Sequence, residues 1–339
     1  MTAEPSPIEV SVVIPAYNAE ATLGEQLAAL GRQRVPFAWE ILVCDNASTD
    51  ATAQVTRDWQ ARLPQLQLLD ASARRGPGAA RNVGAAAARG VFLLFCDADD
   101  VVADDWVAEL HSALQSHGFV TGKSRRPELN SDPEAPVYFD FATYRMPFLS
   151  RIPVAGGGNL GVRKSVFERV SGFDEFQHRG EDVDLCWRIQ LAGEALATAP
   201  TAVVTVRNRP NLRATFSQAY ANGIGDRRLR RKYARLIEAA GRIDDPTAGP
   251  SPEVDAYRRV FNATVATPAD GFGALEPGVQ PTASGIGRRA ISKLTRIRRP
   301  SDLTNVTSHI GARLGSRFGR VEGPVAPLDL GALLRGSGP

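Results

Sequence analysis

The stretch Val91-Phe92-Leu93-Leu94-Phe95-Cys96-Asp97-Ala98-Asp99-Asp100 passes from an unbroken apolar run directly into acids. A run this short, apolar without alternation, has the character of a strand covered on both faces, as strands inside a parallel sheet are. The strand is then Val91–Cys96, and the acids stand at its carboxyl end. Upstream, runs of the same kind recur at Glu9–Pro15, Trp39–Cys44 and Leu66–Leu69. Amphipathic or alanine-rich stretches separate them and predict helices over Ala19–Arg32, Thr49–Arg62 and Gly78–Arg89, with Ser48 as the N-cap of the second. Strand and helix alternating in this way build βαβ units. The expected fold is α/β, a largely parallel central sheet, Rossmann-like in its first half and flanked by helices.

Sheets of this kind place ligands beyond the carboxyl ends of their strands. Those ends are Pro15-Ala16-Tyr17-Asn18, Asp45-Asn46 and the acidic run from Asp97 to Asp100. The fold therefore delivers polar segments that are distant in sequence to one edge. Downstream, a helix is predicted from Asp104 to about His117, then an irregular, surface-exposed stretch from Arg125 to Pro153. A Gly156-Gly157-Gly158-Asn159 turn leads into a predicted helix at Arg163–Val170. After Gly172-Phe173-Asp174-Glu175 comes a helix from Glu181 to Ala192, and a strand at Ala202–Val206 closes the series.

With 339 residues, 43% hydrophobic and 23% charged, the chain buries one large core and has length for a further module. The expected division is a flexible N-terminus over 1–7, a catalytic domain over 8–225 and a basic, partly helical extension over 226–339. Its linker, at about 241–285, is rich in Pro, Gly, Ala and Thr. A formal charge of +3 does not argue for nucleic acid, and no nucleic-acid partner is expected. Cys44, Cys96 and Cys186 stand alone in apolar surroundings without metal-ligand spacing, which suits buried thiols in a reducing, cytoplasmic setting. The first residues lack a basic segment followed by an apolar core, and no window of about 18 apolar residues occurs, so neither secretion nor membrane spanning is expected.

Taken in order, Ser11-Val12-Val13-Ile14-Pro15-Ala16-Tyr17-Asn18, Asp45-Asn46-Ala47-Ser48-Thr49-Asp50, Arg75-Gly76-Pro77-Gly78-Ala79-Ala80-Arg81-Asn82, Asp97-Ala98-Asp99-Asp100 and Glu181-Asp182-Val183-Asp184-Leu185 closely resemble the family 2 glycosyltransferases of the GT-A fold. The resemblance covers roughly residues 8 to 206. It implies a nucleotide-sugar donor, a divalent cation (Mn2+ or Mg2+) and inverting transfer to an acceptor hydroxyl. Carboxylates are hard oxygen ligands that suit such ions, and Asp97 and Asp99 share one face if the strand runs straight on. Pro15, Ala16, Tyr17, Asp45, Arg81 and Asp97 are the candidate donor-binding residues, and Asp97 and Asp99 the candidate metal ligands. Asp45 can accept from a uracil or guanine N–H, and Tyr17 can stack on the base, which is worth about 1–3 kcal/mol in nucleic-acid systems. Equally, Asp45 can open an Asx turn, Tyr17 can be packing, and Arg81 can be a solvated helix charge.

Asp182, Leu185, Cys186 and Ile189 fall on one helical face, so an acid heads an apolar stripe pointing inward. Such an acid costs free energy unless it has a partner or a task, although Glu181, Asp182 and Asp184 also suit a helix N-terminus through its dipole. The resemblance implies that Asp182 is the general base. An ordinary aspartate pKa of about 3.9 would make it a weak one. Gly157, Asn159 and Glu181 are candidates for the acceptor or donor-sugar loop.

Many relatives carry a histidine metal ligand after the last strand, where this chain has Val206-Arg207-Asn208-Arg209. Arg207 and Asn208 become candidates for holding the diphosphate or the metal. The missing histidine also leaves open a non-catalytic sugar-nucleotide-binding or scaffolding protein. The processive synthases' QxxRW signature is absent, so a single transfer is expected, to a glycan, lipid-linked or small-molecule acceptor.

Between Ser284 and Arg320 nine Lys or Arg face one acid, Asp302. Ile286, Ala290, Ile291, Leu294 and Ile297 share a helical face, as do Leu303, Val306, Ile310, Leu314 and Phe318. Helices of this kind lie on an anionic membrane, or dock on the catalytic domain or a partner subunit with their charges solvated. The cluster Arg227-Arg228, Arg230-Arg231-Lys232 adds to the expectation of a peripheral membrane contact.

Overall fold

The computed structural model describes residues 7–125, 142–208, 211–242, 253–255, 258–259 and 300–335; within the last segment, only the backbone of 300–303 and 305 is described. Four strands of the first half lie parallel: β1 (Ile8–Ala16), β2 (Ala38–Asp45), β3 (Leu66–Asp70) and β4 (Phe92–Cys96). Between them run α1 (Leu23–Gly31), α2 (Thr52–Gln60) and α3 (Pro77–Ala87). Alternate residues of the strands feed two cores. Val13, Leu42, Cys44, Leu93 and Phe95 bury on one face of the sheet, and Val12, Ile14, Ile41, Val43 and Leu94 on the other. Covering both faces is what makes β4 apolar throughout. β2 pairs with one edge of β1 and β4 with the other, so their carboxyl ends flank a topological switch point.

The predicted N-cap at Ser48 is corrected. α2 begins at Thr52, whose backbone N–H donates to Asp50, and the Ser48 hydroxyl instead accepts from the Asn18 backbone N–H at 3.0 Å.

The second half continues the same sheet with changes of direction. After β4 come the short β5 (Val101–Val102), α4 (Trp106–Ser116) and β6 (Phe119–Arg125). A two-stranded piece, β7 (Tyr144–Arg145) with β8 (Pro153–Val154), precedes β9 (Asn159–Arg163), α5 (Lys164–Arg169), α6 (Glu181–Leu191) and β10 (Leu196–Thr205). The eight-stranded order is β3-β2-β1-β4-β9-β6-β10-β5. β9 runs antiparallel to both β4 and β6, so the glycine-rich turn leads into a strand before the helix expected at 163–170. The sequence hides this strand because Asn159-Leu160-Gly161 lacks β-branched density. Its pairing comes from free edges on both sides.

α7 (Leu212–Lys232) and α8 (Ala234–Gly241) follow β10, and α9 (Pro300–Phe318) and α10 (Leu330–Leu334) end the described chain. The domain boundary expected at 225/226 falls inside α7. Leu229, Tyr233, Leu236, Leu330 and Leu333 belong to the same core cluster as β4 and α6, so the extension completes the catalytic core. The amphipathic face predicted over 286–297 lies outside the described residues.

The basic cluster of α7 is corrected as well. Arg228 is buried and donates to the carbonyls of Glu322 and Pro324, Arg227 donates to those of Arg317 and Gly319, and Lys232 pairs with Asp174 and Asp184. Arg230 lies over the Phe148 ring, 3.9 Å from its centroid. Most of these charges pin the C-terminal segment and α6 instead of facing outward. Among the described residues no helix is long and apolar enough to cross a membrane.

Candidate active site

The loops after β1 and β2 are stitched together. Asn18 accepts from the Thr49 backbone N–H at 2.8 Å, Ala19 N donates to Thr52 Oγ1, and Ala51 N donates to Glu20. Asn18 and Ala47 hold positive φ within these turns, a cost the cross-ties offset. Pro15 and Ala16 end β1, and the Ala16 carbonyl accepts from Asn46 N. Tyr17 is 53% exposed at the rim, with its ring face available to a ligand. Asp45 ends β2 half-buried, and one of its oxygens accepts from Ser48 N three residues on. Asn46 bonds the carbonyls of Ala71 and Arg74 and accepts from Gly76 N, which fixes the glycine turn at the head of α3.

β4 stops at Cys96 and the chain turns, so Asp97 and Asp99 are not related by a strand face as expected. The turn brings Asp97, Asp99 and Asp100 together instead, with one carboxylate oxygen of each within 4.8 Å of the others. Three hard oxygen donors this close fit a divalent cation of the Mg2+ or Mn2+ class. Asp100, whose place the strand-face argument missed, is the most buried of the three.

The turn is braced from α1. Buried Gln26 donates to the Asp97 carbonyl and accepts from Val102 N, both at 3.1 Å. Buried Gln33, just past the end of α1, does the same for the segment that follows, donating to the Ala103 carbonyl and accepting from Val107 N. From the far side Arg207 donates its backbone N–H to Asp100 and its Nε to the Asp99 carbonyl, while its Nη2 pairs with Glu25 at 2.9 Å. Arg207 therefore stands against the acidic turn, with Asn208 half-buried beside it; Arg209 lies outside the described residues.

Arg81 is not a solvated helix charge. Only 3% exposed, it donates to Asp97 at 2.6 Å and to Glu181 at 2.9 Å, and these carboxylates together with Asp182 hold it protonated despite its burial. It ties the acidic turn to the start of α6. A second tie is backbone: Gly157 N donates to Asp182 Oδ2 at 3.0 Å, and a Cβ on Gly158 would lie 2.7 Å from Asp97 Oδ2. Glycine at 158 lets the chain pass directly over the acids. Asn159 points elsewhere. It is buried, accepts from Trp106 Nε1 and donates to the Ala202 carbonyl, so it holds the sheet together and not a ligand.

α6 is buried nearly all round, not along one stripe as expected, and Asp182 is its most accessible residue. Burial pushes the Asp182 carboxyl above the usual aspartate range. Burial, with the charge of Asp182 beside it, pushes Glu181 up to about 7. Asp184, one turn deeper, pairs with Arg188 and Lys232 at 2.7 Å each and accepts from Tyr233 Oη at 2.9 Å. Although burial works against it, Arg188 and Lys232 bring its pKa down to about 2.

A doubly covered α/β sheet with an acidic turn at its switch point, facing the carboxylates of Glu181 and Asp182, defines a sugar-nucleotide transferase of the GT-A fold. The mannosyltransferase PcManGT from Pyrobaculum calidifontis, solved with GDP-Man and Mn2+, has this fold, with a TM-score of 0.56 and 21% identity over 94% of this chain and 90% of that one. GalNAc-T7, solved with UDP, GalNAc and Mn2+, has it too, at 0.53 and 17% over 76% and 55%. Residues 11–171 match the family model for glycosyl transferase family 2. The glycosyltransferase AglE of Haloferax volcanii is 31% identical over 205 residues, 59% of this chain and 67% of the relative. The pre-mycofactocin glycosyltransferase of Mycobacterium tuberculosis is 32% identical over 221 residues, 62% of this chain but 45% of its own length. The chain belongs to glycosyltransferase family 2 and is a glycosyltransferase.

Proposed function

We propose that the protein moves a single sugar, with inversion, from a nucleotide-diphosphate donor to a hydroxyl of a glycan, lipid-linked or small-molecule acceptor, in cell-wall or polysaccharide synthesis. The observation that carries this is the acidic turn facing Asp182, the two held at fixed separation by Arg81 and the Gly157–Gly158 backbone. Asp45 accepts from the base, Tyr17 stacks on it, and the ends of β1 at Pro15 and Ala16 shape the floor of its pocket. Asp97, Asp99 and Asp100 hold a divalent cation, which when bound offsets the charge of the departing diphosphate as a Lewis acid. Arg207, with Asn208 beside it, adds donors at the position where relatives carry histidine.

At the acceptor side, Asp182 takes the hydroxyl proton as the oxygen–anomeric carbon bond forms and the bond to the diphosphate breaks. Its raised pKa makes it a better base than an ordinary aspartate. Arg81, buried behind the site, acts as a positioning residue for Asp97 and Glu181. The three cysteines are free and buried, which supports a cytoplasmic setting. A peripheral membrane contact of the C-terminal helices fits a lipid-linked acceptor.

The test is a screen of nucleotide sugars and acceptors with Mn2+ or Mg2+, with and without chelator, followed by NMR of the product's anomeric centre. Turnover lost on chelation, the opposite anomer in the product, and loss of metal-dependent donor binding in Asp99→Ala are expected. Retained configuration, or turnover indifferent to chelator, would overturn the reading.

A further inference from the structure

α9 has two faces with different fates. Gly311, Gly315 and Gly319, four residues apart, lie directly on α7: a Cβ at Gly315 would overlap the Tyr220 carbonyl, and one at Gly311 would sit 2.8 Å from the Phe216 carbonyl. Gly223 of α7 in turn meets Ala312 and Ser316 of α9. Contacts advance together along both helices, so they run parallel with backbones in close approach. This uses the small residues and leaves the large ones outside. Ile310, Leu314 and Phe318 are 45%, 38% and 65% exposed and form one row at four-residue spacing.

Arg313, Arg317 and Arg320 are exposed along that row, and among the described side chains from Val306 to Arg320 there is no acid; Glu322 and Asp329 are exposed further on. The Arg317 guanidinium lies 5.2 Å from the Phe318 ring centroid. The arginines of α7 at 227 and 228 donate to carbonyls within the protein, whereas Arg230 and Arg231 are exposed and add to the outward positive charge that α9 and the residues after it carry. A narrow row of large apolar side chains edged by arginines suits a bilayer surface, where the row enters the acyl boundary and the guanidiniums reach anionic phosphates. A protein partner of ordinary interface size asks for a broader patch.

We propose that this face of α9, with Ile310, Leu314 and Phe318 inserted and Arg313, Arg317 and Arg320 at the headgroups, docks on an anionic lipid surface. α7, on which α9 rides, touches the loop that leads into α6: Gln177 donates to the Gly225 carbonyl, and a Cβ on Gly225 would meet the Arg179 carbonyl. The lipid face is thus one helix layer from Asp182, within reach of a membrane-borne acceptor. That last consequence rests on the transfer reading; the docking does not.

The experiment uses the full chain without donor, metal or acceptor, so its outcome is independent of turnover. Flotation is compared on vesicles of phosphatidylcholine alone and of equimolar phosphatidylcholine and phosphatidylglycerol. The protein should float with the anionic vesicles and be released by salt, and Ile310→Ser/Leu314→Ser/Phe318→Ser should lose roughly tenfold or more in partitioning. Phe318→Trp guards against misfolding of the triple variant, and its emission should shift blue on anionic vesicles only. No recovery of wild type with anionic vesicles, or equal recovery of the triple variant, would sink the proposal. So would emission of the added tryptophan, taken as the difference from the wild type with its four tryptophans, that is already blue without lipid, which means this chain or a second copy covers the face; light scattering tells those two apart.

Discussion

Asp182 carries the chemistry at the scale of single residues, and its surroundings set how it titrates. Burial raises both it and Glu181, whose pKa the neighbouring Asp182 charge raises further, so the pair titrates together. As pH falls, the pair takes up protons and the base is lost. The acid limb of kcat/KM should therefore lie above the ordinary carboxylate range, near 4, and steady-state rates across pH will show it. Asp182→Asn should lower kcat by about 10²–10⁴-fold while calorimetry finds nucleotide binding little changed. Equal losses in both would mean that Asp182 holds the site together instead of moving a proton.

Elements differ in how far their own residues announce them. β1, β2 and β4 were legible because burial on both faces demands unbroken apolar runs, and the three strand ends could be placed from topology alone. β9 was not, since Gly161 and Asn159 suggest a turn. A Cβ at 161 would come within 2.8 Å of Val120, so a bare backbone is what lets β9 fit between β4 and β6. Asp100 escaped for a related reason: a strand continued past Cys96 sends it to the opposite face, and only the turn returns it. Arg81 could be located but not explained, because its partners come from Asp97 and Glu181, far apart in sequence. The α7–α9 contact makes its own prediction. Gly315→Val should lower stability by about 1–3 kcal/mol, seen as a fall in Tm, because the Tyr220 carbonyl has no room to retreat. A surface change such as Arg313→Ala should leave Tm nearly unmoved.

For the molecule as a whole, the buried group Asp184, Arg188, Lys232, Tyr233 and Asp174 joins α6 to α7 behind the site. The folded pKa of Asp184 lies below its unfolded value, so its contribution is present above about 3.8 and is lost as pH falls towards about 2. The loss amounts to about 2 kcal/mol, and denaturant melts at stepped pH should show it in that window. In Asp184→Asn the acid dependence should flatten, while stability at neutral pH drops by about 3–5 kcal/mol because Arg188 and Lys232 lose their countercharge.

The seating of Leu330 and Leu333 in the same core as β4 also bears on how the chain comes off the ribosome. All the described strands and the acidic turn are synthesised well before residue 330, yet the hydrophobic surface behind α6 stays uncovered until α10 has emerged. The nascent enzyme should therefore carry its catalytic residues for some time before it can close around them. Over that interval the exposed apolar surface favours aggregation, and a stop placed just before Leu330 should yield an aggregating product, not a trimmed but working enzyme.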